Sequence, residues 1–411
     1  MKKSMLFLIV VPFALWGENL AQLIELSKNN KMLDSSRITL ESTKDLYESV
    51  KKGYLPQFNI GASLKKNSKE LSTAPDNSLA LQGSVDYVIY DGGKRGNTYD
   101  YYDATIKSGK ESLDDLKNQI ALQVISYYYS NLSYVAQKEA KLQEIEQLEA
   151  QYRRLKKFLD AGTTTEDEVQ KIISNIQTAK VALHELELNI ETINHNLEYV
   201  VGKSVSIESG SKISRYDSKE SKLRADIKAI EYQLNALLAN AKATKSGALP
   251  KVTFNDTLSR MDSNYDSNVY STANDEFNQN TASLNLTWKI FDFGSTNKEY
   301  ESAYKKYFSL KSQYEYEKNK ANVDLRLALR AYDIGKLKIE SAQAGLKAAD
   351  SAYESIKAKY EAGLVDNVSY LAALSEKFDA ESLLKVALYD LELKRANKIY
   401  YSGENLEEFV K

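Results

Sequence analysis

Few residues in this chain have the type and spacing to do chemistry, and each sits in a context that points elsewhere. Asp292-Phe293-Gly294 spells the metal-binding triplet of protein kinases, but no glycine-rich phosphate loop and no His-Arg-Asp accompany it. The triplet stands where an alternating stretch gives way to a helical one, the place of a helix N-cap. Asp91-Gly92-Gly93 is the same kind of corner rather than a phosphate cradle. Asp262, Asn264, Asp266 and Asn268 have the spacing of a calcium loop, yet Ser267 stands for the required glycine and Ala273 for the bidentate glutamate. The only histidines, His184 and His195, are about 16 Å apart if they share a helix, too far to share a metal. No Ser/His/Asp set, carboxylate pair or cofactor-binding pattern has a catalytic context. With no cysteine there is no thiolate nucleophile, thiolate metal site or disulfide. The acidic group Asp160, Glu166, Asp167 and Glu168 has two readings. It complements a helix dipole after a turn, or it lines a constriction.

The elements that hold these residues are unusual. Between Gly93 and Gly162 there is no proline and only two glycines, Gly96 and Gly109, in a dense mix of helix formers. Leu142, Ile145, Leu148, Tyr152, Leu155 and Leu159 step by threes and fours, a coiled-coil period. The spacing predicts a helix over 94–160, about 100 Å long at roughly 1.5 Å per residue. That is far beyond the length a globular domain houses. The stretch recurs. Asp91, Gly93, Tyr99, Tyr152, Lys156, Ala161 and Gly162 reappear, each 201 residues later, as Asp292, Gly294, Tyr300, Tyr353, Lys357, Ala362 and Gly363. The second helix has its own stripe at Leu346, Ala349, Tyr353, Ile356 and Tyr360. The chain is therefore read as a tandem duplication.

The chain opens with Lys2 and Lys3, the apolar run Met5–Trp16 and the small residue Gly17. This is the pattern of a cleavable signal peptide, residues 1–17, leaving Glu18 first. The run is shorter than the roughly 20 residues a spanning helix needs. Acidic and basic residues nearly balance, 57 against 55, which gives no argument for a nucleic-acid partner. The first repeat, 18–212, reads as a helix from Leu20 to Gly53, a β-hairpin over 57–90, the long helix 94–160 and a return helix 166–200. The second, 213–411, reads as a helix, a β-hairpin over 251–291, the long helix 295–361 and a return helix 366–396. The turns between long and return helices centre on Gly162 and Gly363, and Asp91, Gly93, Asp292 and Gly294 mark the strand-to-helix corners.

The hairpins alternate. Phe58, Ile60, Ala62 and Leu64 face one way and Gln57, Asn59, Ser63 and Lys65 the other, and Leu284, Leu286, Trp288 and Ile290 oppose Ser283, Asn285, Thr287 and Lys289. Strands of about ten residues suit a tilted transmembrane strand. Tyr54, Tyr87, Tyr90, Phe254, Trp288, Phe291 and Phe293 lie near strand ends, as an interfacial girdle does. Two soluble hairpins on a helical body fit the alternation equally. Four strands cannot close a membrane barrel, and lipid tolerates no open edge, so membrane hairpins require several chains in one barrel.

The sequence resembles the TolC family of outer-membrane efflux proteins over nearly the whole mature chain. The resemblance lies in Leu23-Ile24-Glu25-Leu26 with Asn29-Asn30, Tyr54-Leu55-Pro56, Leu223-Arg224-Ala225-Asp226-Ile227 with Glu231, Leu249-Pro250, and Tyr360-Glu361-Ala362-Gly363. Ala225 stands where the family usually has proline. The resemblance implies a mainly helical fold with a small β part, and a homotrimer whose chains share one barrel in outer-membrane lipid. It also implies a periplasmic tunnel that conducts drugs or secreted proteins after docking of a periplasmic adaptor and an inner-membrane transporter, with no cofactor and no enzymatic activity. The turns then form a periplasmic gate, with Tyr360 and Glu168 matching one closing link of the family. The arginine of the family's other link matches Val365, and the aspartates of its selective rings match Ser369 and Ala372. Asp167 and Asp366 are further gate candidates. The competing reading is a periplasmic coiled-coil adaptor or scaffold without a channel, although the lipoyl-like and barrel domains usual in adaptors are missing from the pattern.

Overall fold

The computed structural model describes residues 17–69, 71, 75–216, 222–265 and 276–410. The signal segment up to Trp16 and the positions Asp266, Ser267, Asn268 and Ala273 of the calcium-like series lie outside them. In chain order the elements are helices α1 (Leu20–Ser27) and α2 (Lys31–Gly53), strands β1 (Gln57–Lys66) and β2 (Asn77–Tyr90), and helices α3 (Lys94–Asp160) and α4 (Glu166–Val201). Then follow α5 (Ala225–Lys245), β3 (Lys251–Asn264), β4 (Glu276–Thr287), α6 (Ser295–Glu361) and α7 (Asn367–Tyr401). Helices α3 and α6 are each unbroken over 67 residues. No helix among the described residues is apolar enough to cross a membrane.

The helix expected over Leu20–Gly53 is two helices. Asn19 and Gln22 cap α1 reciprocally. Asn30 then interrupts the chain: its Oδ1 accepts from the Met32 N–H at 2.8 Å, and its Nδ2 donates to the Val200 carbonyl at 2.8 Å. A side chain that satisfies a first-turn amide of one helix while binding another helix favours a break before it.

Two compact units cut across the sequence repeats, each drawing on both halves. One holds the chain up to Ser35 with Leu113–Ala225 and Asn319–Lys411; the other holds Ser36–Ser112 and Asp226–Lys318. In the first unit, Ile145, Leu148 and Leu155 of α3, Val169, Ile172 and Ile176 of α4, Tyr353 of α6, and Tyr370, Leu374 and Phe378 of α7 form one apolar core. Leu142, expected in that stripe, is 45% exposed. The seam is completed instead by Glu144 and Gln151, which are buried polar residues. Further along this unit the segment between α4 and α5 is tied down by side chains. Tyr128 donates to the Glu208 carbonyl at 2.8 Å, and Arg395, paired with Glu392 at 2.7 Å, donates to the Ile213 carbonyl at 2.9 Å.

The second unit carries a four-stranded antiparallel sheet in the order β1-β2-β3-β4. The two hairpins, one from each repeat, are joined through β2 and β3, with Val85 opposite Asp256 and Tyr87 opposite Phe254. Phe58, Ile60, Leu64, Leu258, Leu284 and Leu286 share one face and are each more than half exposed. The other face carries a polar network. The Asp86 carboxylate accepts from Asn59 Nδ2 at 2.9 Å, from Ser84 Oγ at 3.2 Å and from Asn255 Nδ2.

Candidate functional site: the helix turns, the corners and the sheet

The two helix turns share one geometry. After α3, the Gly162 N–H donates to the Leu159 carbonyl at 2.9 Å and the Thr163 N–H to Phe158 at 2.8 Å. After α6, the Gly363 N–H donates to Tyr360 at 3.0 Å and the Leu364 N–H to Lys359 at 2.8 Å. Both glycines have φ +71, so each turn reverses the chain through a left-handed residue that glycine adopts without a Cβ penalty.

The return helices begin differently. Glu166, Asp167 and Glu168 fill the first turn of α4, where carboxylates complement the positive helix end, and Thr165 makes no side-chain cap bond. Glu168 accepts from the Thr164 hydroxyl at 2.9 Å, and Asp167 is exposed. Asp366 caps α7 by accepting from the Ser369 N–H at 2.8 Å. Hydrogen bonds from Ser369 hold its carboxyl below the usual aspartate range.

Tyr360 is the centre of the buried polar contacts. Its ring stacks on Tyr370 with centroids 4.8 Å apart, and the Arg154 guanidinium lies 5.2 Å from its centroid. Its hydroxyl accepts from Gln151 Nε2, which also donates to Asn367 Oδ1 at 2.8 Å. Gln151 and Asn367 are 6% and 4% exposed, so this amide network is held away from water. Within one chain, then, Tyr360 is bonded to Gln151, and Glu168 to Thr164. Gln151 escaped the sequence reading. Its signal was weak: a glutamine at seam spacing, three residues after Leu148 and four before Leu155.

The corners are caps. Asp91 accepts from the Arg95 N–H at 2.8 Å, and Asp292 accepts from the N–H groups of Gly294 and Thr296, both at 3.0 Å. The left-handed residues Gly92, Gly93 and Gly294, with φ of +70, +84 and +83, turn the chain from strand into long helix. The histidines are surface residues, His184 near Glu187 and His195 near Glu191. No group of residues that could hold a metal occurs among the described residues.

The sheet is amphipathic, its two edges are open in the single chain, and it is joined to unbroken helices of 67 residues that end in these turns. The sequence profile of the family described as outer membrane efflux protein matches residues 23–203 and 218–397. The chain belongs to that family. It is an outer-membrane efflux channel of the kind that serves tripartite systems. No curated protein matches the sequence significantly. Among solved structures it is similar to the CmeC outer membrane channel of Campylobacter jejuni. That match has a TM-score of 0.82 at 19% identity and covers 95% of this chain and 86% of that one. It is similar also to the outer membrane protein VceC of Vibrio cholerae, with a TM-score of 0.82, 16% identity and coverage of 94% and 96%. The open state of the Neisseria gonorrhoeae MtrE outer membrane channel gives 0.80 at 15% identity, over 94% and 89%. The fold of this efflux protein is thus that of channels with a helical tunnel and a β-barrel.

Proposed function

We propose that this efflux protein is the passive exit duct of an export system. Three copies share one twelve-stranded barrel, and the long helices form a periplasmic tunnel. The turns at Gly162 and Gly363 form its gate, opened when a periplasmic adaptor and an inner-membrane transporter dock. The mature chain is two efflux repeats, 18–212 and 213–411, after removal of residues 1–17. It conducts drugs or secreted proteins and catalyses no reaction. The reading rests on one observation above all. An antiparallel sheet of four strands has an exposed face with an apolar belt and two open edges, and lipid accepts such a sheet only once its edges are paired.

At the gate, the Tyr360 hydroxyl accepts from Gln151 and so keeps its own proton for an acceptor. In a closed trimer that acceptor is Glu168 of a neighbouring helix pair. The test of the duct is direct. The protein should fractionate with the outer membrane and run as a trimer in mild detergent. Recovery as a soluble monomer would refute the proposal.

A further inference from the structure

We infer that β4 of one copy pairs with β1 of the next so that Ala282 lies opposite Leu64, Ala62 opposite Leu284, and Ile60 opposite Leu286. This rests on the shared-barrel reading and adds to it the register of the seam.

The register is set by the apolar belt. Its upper limit is Leu64 on β1 and Leu79 on β2, which are direct partners. On β3 the partner of Leu79 is Asp262 and that of Leu81 is Arg260, so the belt stops at Leu258, opposite Gly83. On β4 the partner of Leu258 is Asn280, so the belt stops at Ala282. The hydrogen-bonded row through Ala282 runs back through Asp256 and Val85 to Phe58. Across one chain the belt has therefore dropped six residues against the rows, from Leu64 to Phe58 on the scale of β1. A belt in a membrane is level, so the drop measures strand tilt.

Closure restricts the choice. Each chain contributes an equal slip, and the slip is even, because an odd one turns the belt residues of the next β1 inward. At roughly 3.3 Å per residue and 4.8 Å between strands, slips of four, six and eight give tilts of about 35°, 46° and 54°. Membrane barrels tilt by about 35–45°, which excludes eight. A slip of four needs the belt to climb back at the seam. A slip of six leaves it level from Ala282 to Leu64. It also sets large beside small, Leu64 with Ala282 and Leu284 with Ala62, and places Ser63 beside Ser283 on the polar face.

The chain has no cysteine, so engineered pairs report without background. The full-length protein is expressed with Ile60→Cys and Leu286→Cys together, and in parallel with Phe58→Cys/Leu286→Cys and Ala62→Cys/Leu286→Cys, and oxidised in outer-membrane fractions. Direct cross-strand neighbours meet the roughly 4.4–6.8 Å Cα range of a disulfide, and residues two positions away exceed it. Most of the 60/286 variant is expected to run as a covalent trimer in denaturing gels, with little product from the other pairs. Dominant cross-linking of 58/286 or 62/286 would replace the register by a slip of four or eight. Trimers in mild detergent with no cross-link from any pair would refute a β1–β4 seam. Soluble monomers of the unmodified protein would refute the shared barrel itself.

Discussion

Gly92 and Phe293 occupy equivalent positions in the two strand-to-helix corners and share a left-handed backbone, with φ of +70 and +54. Phe293 is the only non-glycine residue with positive φ among the described residues. The two positions differ in what surrounds them. A Cβ on Gly92 would lie 2.7 Å from Leu249 Cβ and 2.8 Å from the Ser246 carbonyl oxygen. Phe293 is 92% exposed, and its ring packs on Phe291 at 4.7 Å. Glycine is thus enforced by crowding at one corner, while the other bears strain to project an aromatic ring at the base of the sheet. Left-handed backbone costs a non-glycine residue about 1–2 kcal/mol. Gly92→Ala should cost more than that, because a clash adds to the strain, and should lower the temperature at which detergent trimers dissociate. Phe293→Gly should raise that temperature in detergent. Equal behaviour of the two variants would contradict this account.

The gate can be tested at Gln151. Removing its amide leaves the buried Asn367 side chain without its donor and the Tyr360 hydroxyl without its anchor, a cost of about 1–3 kcal/mol for each unsatisfied group. Gln151→Ala should therefore raise open probability in planar bilayers. Tyr360→Phe and Glu168→Gln should do the same if their link closes the trimer. Combining Tyr360→Phe with Glu168→Gln should add little to either alone, since both break one bond. Conductance like wild type in all three single variants would place the closing contact elsewhere.

Asp366 carries the pH dependence of this region. Its carboxyl is held below the usual value by Ser369, so its stabilising effect is full above about pH 4 and is lost as acid titrates it below that. Between pH 5 and 8 the cap on α7 should not change. Ser369→Ala should leave the cap weaker and bring the acid transition closer to the ordinary aspartate value. In a trimer Asp366 also supplies three carboxylates, and Asp366→Asn should reduce cation preference without opening the pore. A reversal-potential measurement in a salt gradient decides this, and an unchanged preference would remove Asp366 from the pore.

Much of the architecture was legible because it rests on periodicities. The 201-residue offset links Asp91 to Asp292 and Gly162 to Gly363, and alternation along 57–66 separates Phe58 and Ile60 from Gln57 and Asn59. What stayed hidden depends on partners distant in sequence. The pairing of β2 with β3 joins Val85 to Asp256 across the repeats, and nothing local specifies it. Gln151 has seam spacing, but its role shows only with Asn367 beside it. The break at Asn30 hinges on one amide bonded to Val200. A polar residue at seam spacing does not say which partner it will meet, so network chemistry of this kind appears only once the helices are packed.

Asp256 is the one charged residue within the apolar belt of the sheet. It stands between Phe254 and Leu258 on β3, opposite Val85 and Ala282. Its Oδ1 is buried without a hydrogen-bond partner. Leaving a polar group so costs about 1–3 kcal/mol, and a charge on the lipid face of a barrel costs most near the midplane. Asp256→Leu restores the belt and should stabilise each chain by about 1–3 kcal/mol, with Asp256→Asn between it and wild type. The measurement is the urea midpoint of refolded protein in lipid vesicles, where the belt is in contact with hydrocarbon. Wild type and Asp256→Leu should differ less when the belt faces water, as in the soluble denatured chain, so the difference belongs to the inserted state. If Asp256→Leu lowers the midpoint, the carboxylate has a partner in the assembled membrane protein, and its position on the belt is not an unpaired lipid contact.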